Sequence, residues 1–308
     1  MFCNIIEYIL YMDFSPKQLT NYKFLKLFLK VAVSAACLWY VFTKIDFSEV
    51  ISAVKKANGW WLIAGFIIYT ISKFLGAKRL NIYFKNIDIH LPEWQNIKLY
   101  WLGMFYNLFL PGAITGDAYK VLLLSKRYTI PYNKTTAAVL LDRFSGLLSL
   151  GIIAAIYSSF VIQEKTYALL LICGSLLAIP LLYFIIKKIF PEFLPGFWPA
   201  FLLGAAVQLT MLLCVYFILL ALNLQVNYTG YVFIFLIAAV ASVLPISVGG
   251  GLGVREFVMI EGAKYAGLEQ HTALLVSLLF YLITVICSLA GIVYVFKNPL
   301  RQDTDTVS

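Results

Sequence analysis

The stretch from Leu244 to Glu256 constrains the fold most, because it interrupts an apolar run with a proline, four glycines and two adjacent charges. Proline removes a backbone donor and glycine weakens a helix, so a regular helix through this stretch is disfavoured. In a bilayer, backbone groups freed in this way must be buried in protein or face a wet cavity. The adjacent Arg255 and Glu256 are costly in hydrocarbon, and such charges usually mark functional sites. The stretch therefore indicates an irregular polar segment inside a membrane domain.

The composition supports a membrane location, because 62% of the 308 residues are hydrophobic and only 13% are charged. Soluble domains average about 25% charged residues, so we predict an all-α, polytopic membrane protein. We expect six full transmembrane helices, at about Phe24–Thr43, Trp60–Ala77, Thr135–Phe160, Thr166–Ile186, Ala200–Leu222 and Thr272–Phe296. A cytoplasmic segment over 1–23 and a cytoplasmic tail over 298–308 would flank one transmembrane domain over 24–297.

A second interrupted stretch lies earlier in the chain, around Pro111 and Gly112. The apolar run before it is too short to span, since a crossing needs about 20 apolar residues. The segment after it carries Asp117 and Lys120. We predict that both interrupted stretches form re-entrant hairpins, which enter and leave on one side. They stand at matching positions of two halves, about 24–160 and 166–297, which predicts inverted repeats with a midplane binding site.

The charge distribution predicts the orientation in the membrane. With both hairpins re-entrant, most lysines and arginines fall on the side of the N-terminus, so both termini are predicted to be cytoplasmic in an inner (plasma) membrane. The net charge of +9 fits contact with anionic lipid headgroups rather than with nucleic acid. The sequence leaves open whether Met1 or Met12 starts the chain.

The sequence indicates neither a metal site nor a catalytic constellation. His90 and His271 are predicted on opposite membrane sides, and the five cysteines are scattered without a C-x-x-C motif. No Ser/His/Asp or Cys/His arrangement is present. We therefore expect no cofactor and no enzymatic activity, and keep a lipid-modifying membrane enzyme only as a third hypothesis.

The glycines from Gly249 to Gly253 have two interpretations. One is a thin backbone bend whose N–H groups, with the start of the next helix, face an anion such as phosphate. The other is a tight helix-packing site, since small residues let membrane helices approach. A dinucleotide-binding loop is excluded, because Glu256 stands where the last glycine of that motif would be and no βαβ unit surrounds it.

The charged residues of the hairpins are equally open between two roles. They either hold a polar headgroup or neutralise one another, and Asp117 would meet Arg255 near the midplane if the hairpin tips converge. For Asp142 and Arg143, which lie nearer the membrane surface, an interfacial salt bridge is favoured over substrate contact. Lys73 either extends its ammonium group to the interface or pairs within the bundle.

Three motifs occur in order: Asn107-x-x-Leu110-Pro111-Gly112-x-x-Thr115-Gly116-Asp117-x-Tyr119-Lys120, then Asp142-Arg143-x-x-Gly146, then Pro245-x-Ser247-x-Gly249-Gly250-Gly251-x-Gly253-x-Arg255-Glu256. They resemble the lysylphosphatidylglycerol synthase transmembrane family, also called the flippase-like domain family, over about residues 24–296. The family commonly has Gly-Gly-Asp where this chain has Thr115-Gly116-Asp117, and arginine where it has Lys120. A lysine offers a point charge instead of a planar fork, which leaves the anionic partner open.

The resemblance implies the membrane part of the multiple peptide resistance factor, whose flippase domain moves aminoacylated phosphatidylglycerol between leaflets. The aminoacyl-transferase domain is not in this sequence, so we do not expect synthase activity. We predict a flippase or transporter for a phospholipid or lipid-linked substrate. The alternative is a non-transporting membrane partner of a separately encoded lipid- or glycan-modifying enzyme, and a homo-oligomer is left open. The candidate substrate-binding residues are Asn107, Pro111, Gly112, Gly116, Asp117, Lys120, Asp142, Arg143, Pro245, Ser247, Gly249, Gly250, Gly251, Gly253, Arg255 and Glu256.

Overall fold

The computed structural model describes residues 51–52, 55–109, 114–224, 228–243, 251, 253–297 and 299–300. Within these ranges the chain is all-α and contains no strand. The helices are α1 (Gly59–Lys85), α2 (Glu93–Phe109), α3 (Thr115–Tyr128), α4 (Tyr132–Val161), α5 (Lys165–Ile189), α6 (Phe197–Ala221), α7 (Tyr228–Val243), α8 (Val254–Tyr265), α9 (Gln270–Leu289) and α10 (Val293–Phe296). Two 3₁₀ turns, Pro191–Gly196 and Ala290–Ile292, precede α6 and α10.

Five described helical segments are long and apolar enough to cross a membrane, namely Gly59–Lys85, Tyr132–Val161, Lys165–Ile189, Pro191–Ala221 and Gln270–Phe296. They correspond to five of the six predicted spans and agree with a multi-pass membrane protein. The remaining predicted span, Phe24–Thr43, lies outside the described residues, as do the N-terminal segment and nearly all of the predicted tail.

Helix α1 is longer than the predicted span Trp60–Ala77 that it contains. Helix α1 continues to Lys85, and α2 already begins at Glu93. The apolar run ends at Ala77, but the last two turns of α1 remain inside the bundle with buried aromatic side chains. Packing against neighbouring helices, which a hydropathy pattern does not register, therefore extends this helix beyond its apolar run.

Helices α1 and α6 form the central pair of the bundle and run antiparallel. At one end, the backbone N–H of Asn58 donates to the carbonyl of Ala221 at 2.8 Å. At the other end, the side-chain amide of Asn86 donates to the carbonyl of Phe193 at 3.2 Å. The start of α1 thus meets the end of α6, and the two helices stay in contact along their whole length.

Apart from α10, which continues α9, four of the helices that the structure describes are too short to cross a membrane alone. We call α2 with α3 the first short pair and α7 with α8 the second short pair. The helices of each short pair pack on each other, and the second helix of each pair packs on the span that follows it, α4 or α9. The first helix of each pair contacts a span from the other half of the chain: α2 contacts α9, and α7 contacts α4.

Helix α5 lies at the periphery of the bundle. It packs on α4 and on the turn Pro191–Gly196, and among its 25 residues only Ala168 and Ile186 are buried. Its exposed side chains are mostly apolar, so in a membrane this helix faces lipid. The functional residues therefore have to be sought among the other helices.

Candidate functional site

The start of α3 carries a partly buried ionic cluster around Asp117. Its carboxylate accepts hydrogen bonds from Lys120 Nζ at 3.0 Å and from Arg143 Nε at 2.5 Å. Lys120 comes one turn later in the same helix, whereas Arg143 is on α4. The side chain of Lys120 is only 5% exposed, so its charge depends on Asp117 for neutralisation. The Lys120 ammonium also lies 5.0 Å from the ring centre of Tyr100.

Local backbone geometry explains why α3 can begin here. The side-chain carbonyl of Asn107 accepts a hydrogen bond from the Gly116 N–H at 2.9 Å, which satisfies one of the free donors at the helix start. Asn107, at the end of α2, thus caps the start of α3. A Cβ atom on Gly116 would overlap the backbone of Gly103 in α2. Glycine is therefore required where the two helices cross.

Asp142 and Arg143 are neighbours in sequence, and each forms a salt bridge with a different residue. Successive residues of a helix point about 100° apart, so the two side chains face different partners. Arg143 binds Asp117, whereas Asp142 accepts Nε and Nη2 of Arg79 at 2.7 and 3.1 Å. Both members of the Arg79–Asp142 pair are buried. Sequence reasoning missed this pair because the predicted span ended at Ala77, two residues before Arg79.

A second buried ionic network lies at the start of α8. Arg255 donates from Nη2 to Glu256 at 3.0 Å and from Nε to the hydroxyl of Ser277 at 2.8 Å. The Ser277 hydroxyl in turn donates to Glu256 at 2.7 Å. Glu256 also accepts the backbone N–H of Gly253 at 2.7 Å. All three side chains of this triad are buried, with Glu256 and Ser277 fully inaccessible.

The glycines before α8 have a backbone geometry that other residues rarely adopt. Gly251 and Gly253 have φ values of +100° and +86°. A Cβ atom on Gly251 would also come within 2.8 Å of the Ser242 side chain. Tight packing, the second interpretation of this stretch, therefore applies to Gly251. The carboxylate of Glu256 already sits at the start of α8, so a phosphate binding at that helix end would have to compete with it.

Arg255 lines a cavity of about 150 Å³ between α4, α6, α7, α8 and α9. Two other polar side chains, Gln208 and Ser242, line it, and its remaining walls are apolar, with Leu150 and Phe280 among them. Gln208 on α6 donates to the carbonyl of Gly146 at 3.2 Å. Sequence reasoning did not select Gln208, although a single glutamine within the apolar run of α6 is a signal that could have identified it.

The structure does not bring Asp117 and Arg255 together as counter-ions. Each has partners near its own short pair, and the helices that carry them, α3 and α8, pack on different neighbours. The hypothesis that Asp117 pairs with Arg255 at the midplane is therefore wrong for the described geometry. Six predicted site residues lie outside the described residues: Pro111, Gly112, Pro245, Ser247, Gly249 and Gly250.

Comparisons with known proteins agree with this architecture. A family model described as the lysylphosphatidylglycerol synthase TM region matches residues 27–291. A UPF0104 membrane protein of Pyrococcus horikoshii is 24% identical over 330 aligned residues, covering 90% of this chain and 97% of that protein. A phosphatidylglycerol lysyltransferase of Staphylococcus haemolyticus is 23% identical over 282 residues, covering 87% of this chain but 33% of that protein. The chain thus spans about a third of the transferase's length.

Proposed function

Because the chain belongs to the lysylphosphatidylglycerol synthase TM region family, we propose that it moves a phospholipid or lipid-linked substrate between the leaflets of an inner membrane. The substrate's polar headgroup would cross through the bundle while its acyl chains stay in lipid. The proposal assigns no enzymatic step to the chain. It takes the substrate class from the similarity to a phosphatidylglycerol lysyltransferase, and leaves the individual lipid unassigned.

The observation that carries the proposal is the cavity beside Arg255. Its guanidinium group is buried, yet it borders an internal space with Gln208 and Ser242. Nε and Nη2 are engaged by Ser277 and Glu256, and no described residue accepts a hydrogen bond from Nη1. Guanidinium groups recognise phosphate oxygens through such N–H donors. A phosphate entering the cavity would find a charged donor that is already held in position.

The packing of the helices supports two inverted halves. Helices α1 to α4 correspond to α6 to α9, and the contacts α2–α3, α3–α4 and α2–α9 have counterparts in α7–α8, α8–α9 and α7–α4. The corresponding spans α1 and α6 are antiparallel, as an inversion requires. Asp117 and Glu256 are each the third residue of their helix. Transporters built in this way bind their substrates near the repeat interface.

The contacts at the helix ends support re-entrance of both short pairs. The start of α2 lies beside the end of α1, where Lys85 and Glu93 are 3.7 Å apart. The end of α3 lies beside the carboxyl end of the chain, where Arg127 donates to the carbonyl of Leu300. The start of α7 meets the start of α9 through Tyr231 and Glu269. Each short pair would thus enter and leave at one end of the bundle, with both termini in the cytoplasm.

A second candidate is a non-transporting membrane partner of a separate lipid- or glycan-modifying enzyme. The observation that favours it is internal neutralisation, because Asp117 and Glu256 already have cationic neighbours. Under this alternative the charges only hold the helices together. The two candidate functions make different predictions for a variant without the charges of Arg255 and Glu256: lipid movement slows if the chain is a transporter, and it does not change if the chain is only a partner.

The experiment uses the purified protein in vesicles of phosphatidylcholine and phosphatidylglycerol that contain a trace of fluorescent phosphatidylglycerol. An impermeant quencher reports how quickly the label reaches the outer leaflet. The test variant is the double substitution Arg255→Gln with Glu256→Gln, which leaves no unpaired charge in the buried network. Lys134→Gln, at an exposed position, is the matched control.

We expect wild type and Lys134→Gln to move the label faster than empty vesicles do, and the double variant to be slowed about tenfold or more, a loss of about 1.4 kcal/mol of barrier lowering. If wild-type protein moves the label no faster than empty vesicles, the transport proposal is wrong for this lipid class. If the double variant keeps the wild-type rate, the Arg255 cavity is not the headgroup site and the partner hypothesis gains.

A further inference from the structure

Lys73 lies at the middle of a membrane span. It is near the centre of the 27 residues of α1, so at 1.5 Å per residue it lies about 20 Å from either end of the helix. A four-carbon lysine stem cannot cover that distance, so the ammonium group does not reach either end of α1. It lies over Tyr69, one turn back in the helix, so the first of the two roles that the sequence left open, extension to the interface, is not the conformation observed.

The second role, an ion pair within the bundle, is also absent from the described part of the chain. None of the ion pairs formed there includes Lys73. Its ammonium group instead lies 4.1 Å from the ring centre of Tyr69. A cation–π contact offsets only part of the cost of removing an ammonium ion from water. Among the described residues, Lys73 therefore has no counter-charge of the kind that buried membrane cations normally have.

An aromatic pair connects Lys73 with the proposed headgroup cavity. The ring of Tyr69 packs edge-on against Phe280, with centroids 5.5 Å apart. Phe280 lines the cavity, and the guanidinium carbon of Arg255 lies 5.3 Å from its ring centre. The row therefore runs Arg255, Phe280, Tyr69, Lys73, with one cation at each end and two rings between them.

We propose that Lys73 is a second contact for the phosphate of an anionic lipid, reached from the Arg255 cavity by passing Tyr69 and Phe280. This inference rests on the proposed function and extends it to a second binding position. An entering phosphate supplies a counter-charge that no described residue gives Lys73. With two cations on its path, the phosphate crosses the hydrocarbon in two shorter steps. The two rings separate the positions, so the phosphate contacts one cation at a time.

The experiment compares Lys73→Met, which keeps the length and removes the charge, with Lys73→Arg, which keeps the charge. Lys98→Met is the matched control, because Lys98 also lies over an aromatic ring, Trp94, at 5.6 Å. Each variant is reconstituted in phosphatidylcholine vesicles containing 20% phosphatidylglycerol (roughly the anionic content of a membrane surface), and outward movement of fluorescent phosphatidylglycerol is followed. Thermal unfolding and binding of the same labelled lipid in detergent are measured for every variant.

We expect Lys73→Met to slow phosphatidylglycerol movement about tenfold while its lipid binding at the Arg255 cavity and its unfolding temperature stay close to wild type. Lys73→Arg should keep at least half of the wild-type rate, and Lys98→Met should match wild type. Lys73→Met moving lipid at the wild-type rate would overturn the inference, and so would a loss of rate in Lys73→Met that Lys73→Arg fails to restore.

The outcomes separate this inference from the proposed function. If wild type moves lipid and the Arg255/Glu256 double variant is slow, but Lys73→Met is as fast as wild type, only the second contact is wrong. If wild type moves no lipid, the proposed function itself is wrong. If Lys73→Met loses lipid binding or unfolds at a much lower temperature, Lys73 stabilises the fold and is not a transient contact for phosphate. That result also overturns the inference.

Discussion

Asp117, Arg79 and Asp142 each have one or two oppositely charged partners within hydrogen-bonding distance. Asp117 holds two cations at once, and Arg79 forms a two-point contact with Asp142. The Nη1 group of Arg79 is buried beside Gly146, and no described atom accepts a hydrogen bond from it. A buried donor without an acceptor costs about 1–3 kcal/mol. These side chains are therefore sensitive to the loss of a single partner.

The first prediction concerns Asp117. Replacing it with asparagine leaves the ammonium of Lys120 buried without a carboxylate. Removing one partner of a buried ion pair typically costs about 3–5 kcal/mol, so Asp117→Asn should markedly lower the thermal unfolding temperature in detergent. Glu192→Gln is the control, because its pair with Lys134 is exposed and 4.0 Å long. Surface pairs contribute about 0–1 kcal/mol. Equal shifts for the two variants would contradict the assignment of Asp117.

The short helices obtain their stability from packing rather than from their length. Helices α3 and α8 have 14 and 12 residues, which is marginal for an isolated helix. Helix α3 approaches α2 so closely that Gly103 and Gly116 face each other, and the stem of Lys120 occupies the space beside Gly103. The position of the Asp117 cluster therefore depends on this glycine contact.

The second prediction tests that contact. In Gly116→Ala the new methyl group meets the backbone of Gly103, which cannot move without separating α2 from α3. Overpacking of this kind costs about 1–3 kcal/mol, so unfolding should occur at a lower temperature. Gly174→Ala, in α5, has open space around the added methyl and should be neutral, or stabilising by up to about 1 kcal/mol. An unchanged unfolding temperature for Gly116→Ala would mean that the helices do not cross at these glycines.

The sequence was sufficient for the long apolar helices. Apolar runs predicted the five helices that the structure describes as able to cross a membrane, whereas the prolines of the two predicted interruptions lie outside the described residues. The polar tail of α1 was missed, because the apolar signal stops at Ala77 while packing holds the helix to Lys85. The partners of Asp142 and Arg143 could not be predicted either. They depend on how α4 is rotated against its neighbouring helices, and one sequence alone does not reveal that rotation.

The whole bundle has two distinct ends. One end gathers the start of α2, the turn before α6 and the carboxyl end of the chain, where Lys85 meets Glu93 and Lys134 meets Glu192. The other end joins the start of α1 to the end of α6, and the start of α7 to the start of α9. The proposed topology puts the first end in the cytoplasm.

The third prediction tests this topology with single cysteines in a variant whose five native cysteines are replaced by serine. Cysteines at Glu93 and Thr129 should react with an impermeant maleimide only from the cytoplasmic face, because the first short pair enters and leaves there. Cysteines at Gln163 and Tyr265 should react from the outer face. All four positions are exposed. Labelling of positions 93 and 129 from opposite faces would show that α2 and α3 together cross the membrane.

Each buried ion pair among the described residues lies within one half of the chain, and this has a consequence for biosynthesis. Asp117 and Arg79 find their counter-ions within the first half of the chain, and Arg255 finds Glu256 within the second. As the ribosome delivers the spans in order, the ion pairs of Asp117 and Arg79 can form before any of the second half is made. Contacts between the halves must wait, and they include those of α2 with α9, α4 with α7, and the central pair α1 with α6. Insertion can therefore proceed half by half, with the closing of that central pair as the late step that completes the bundle.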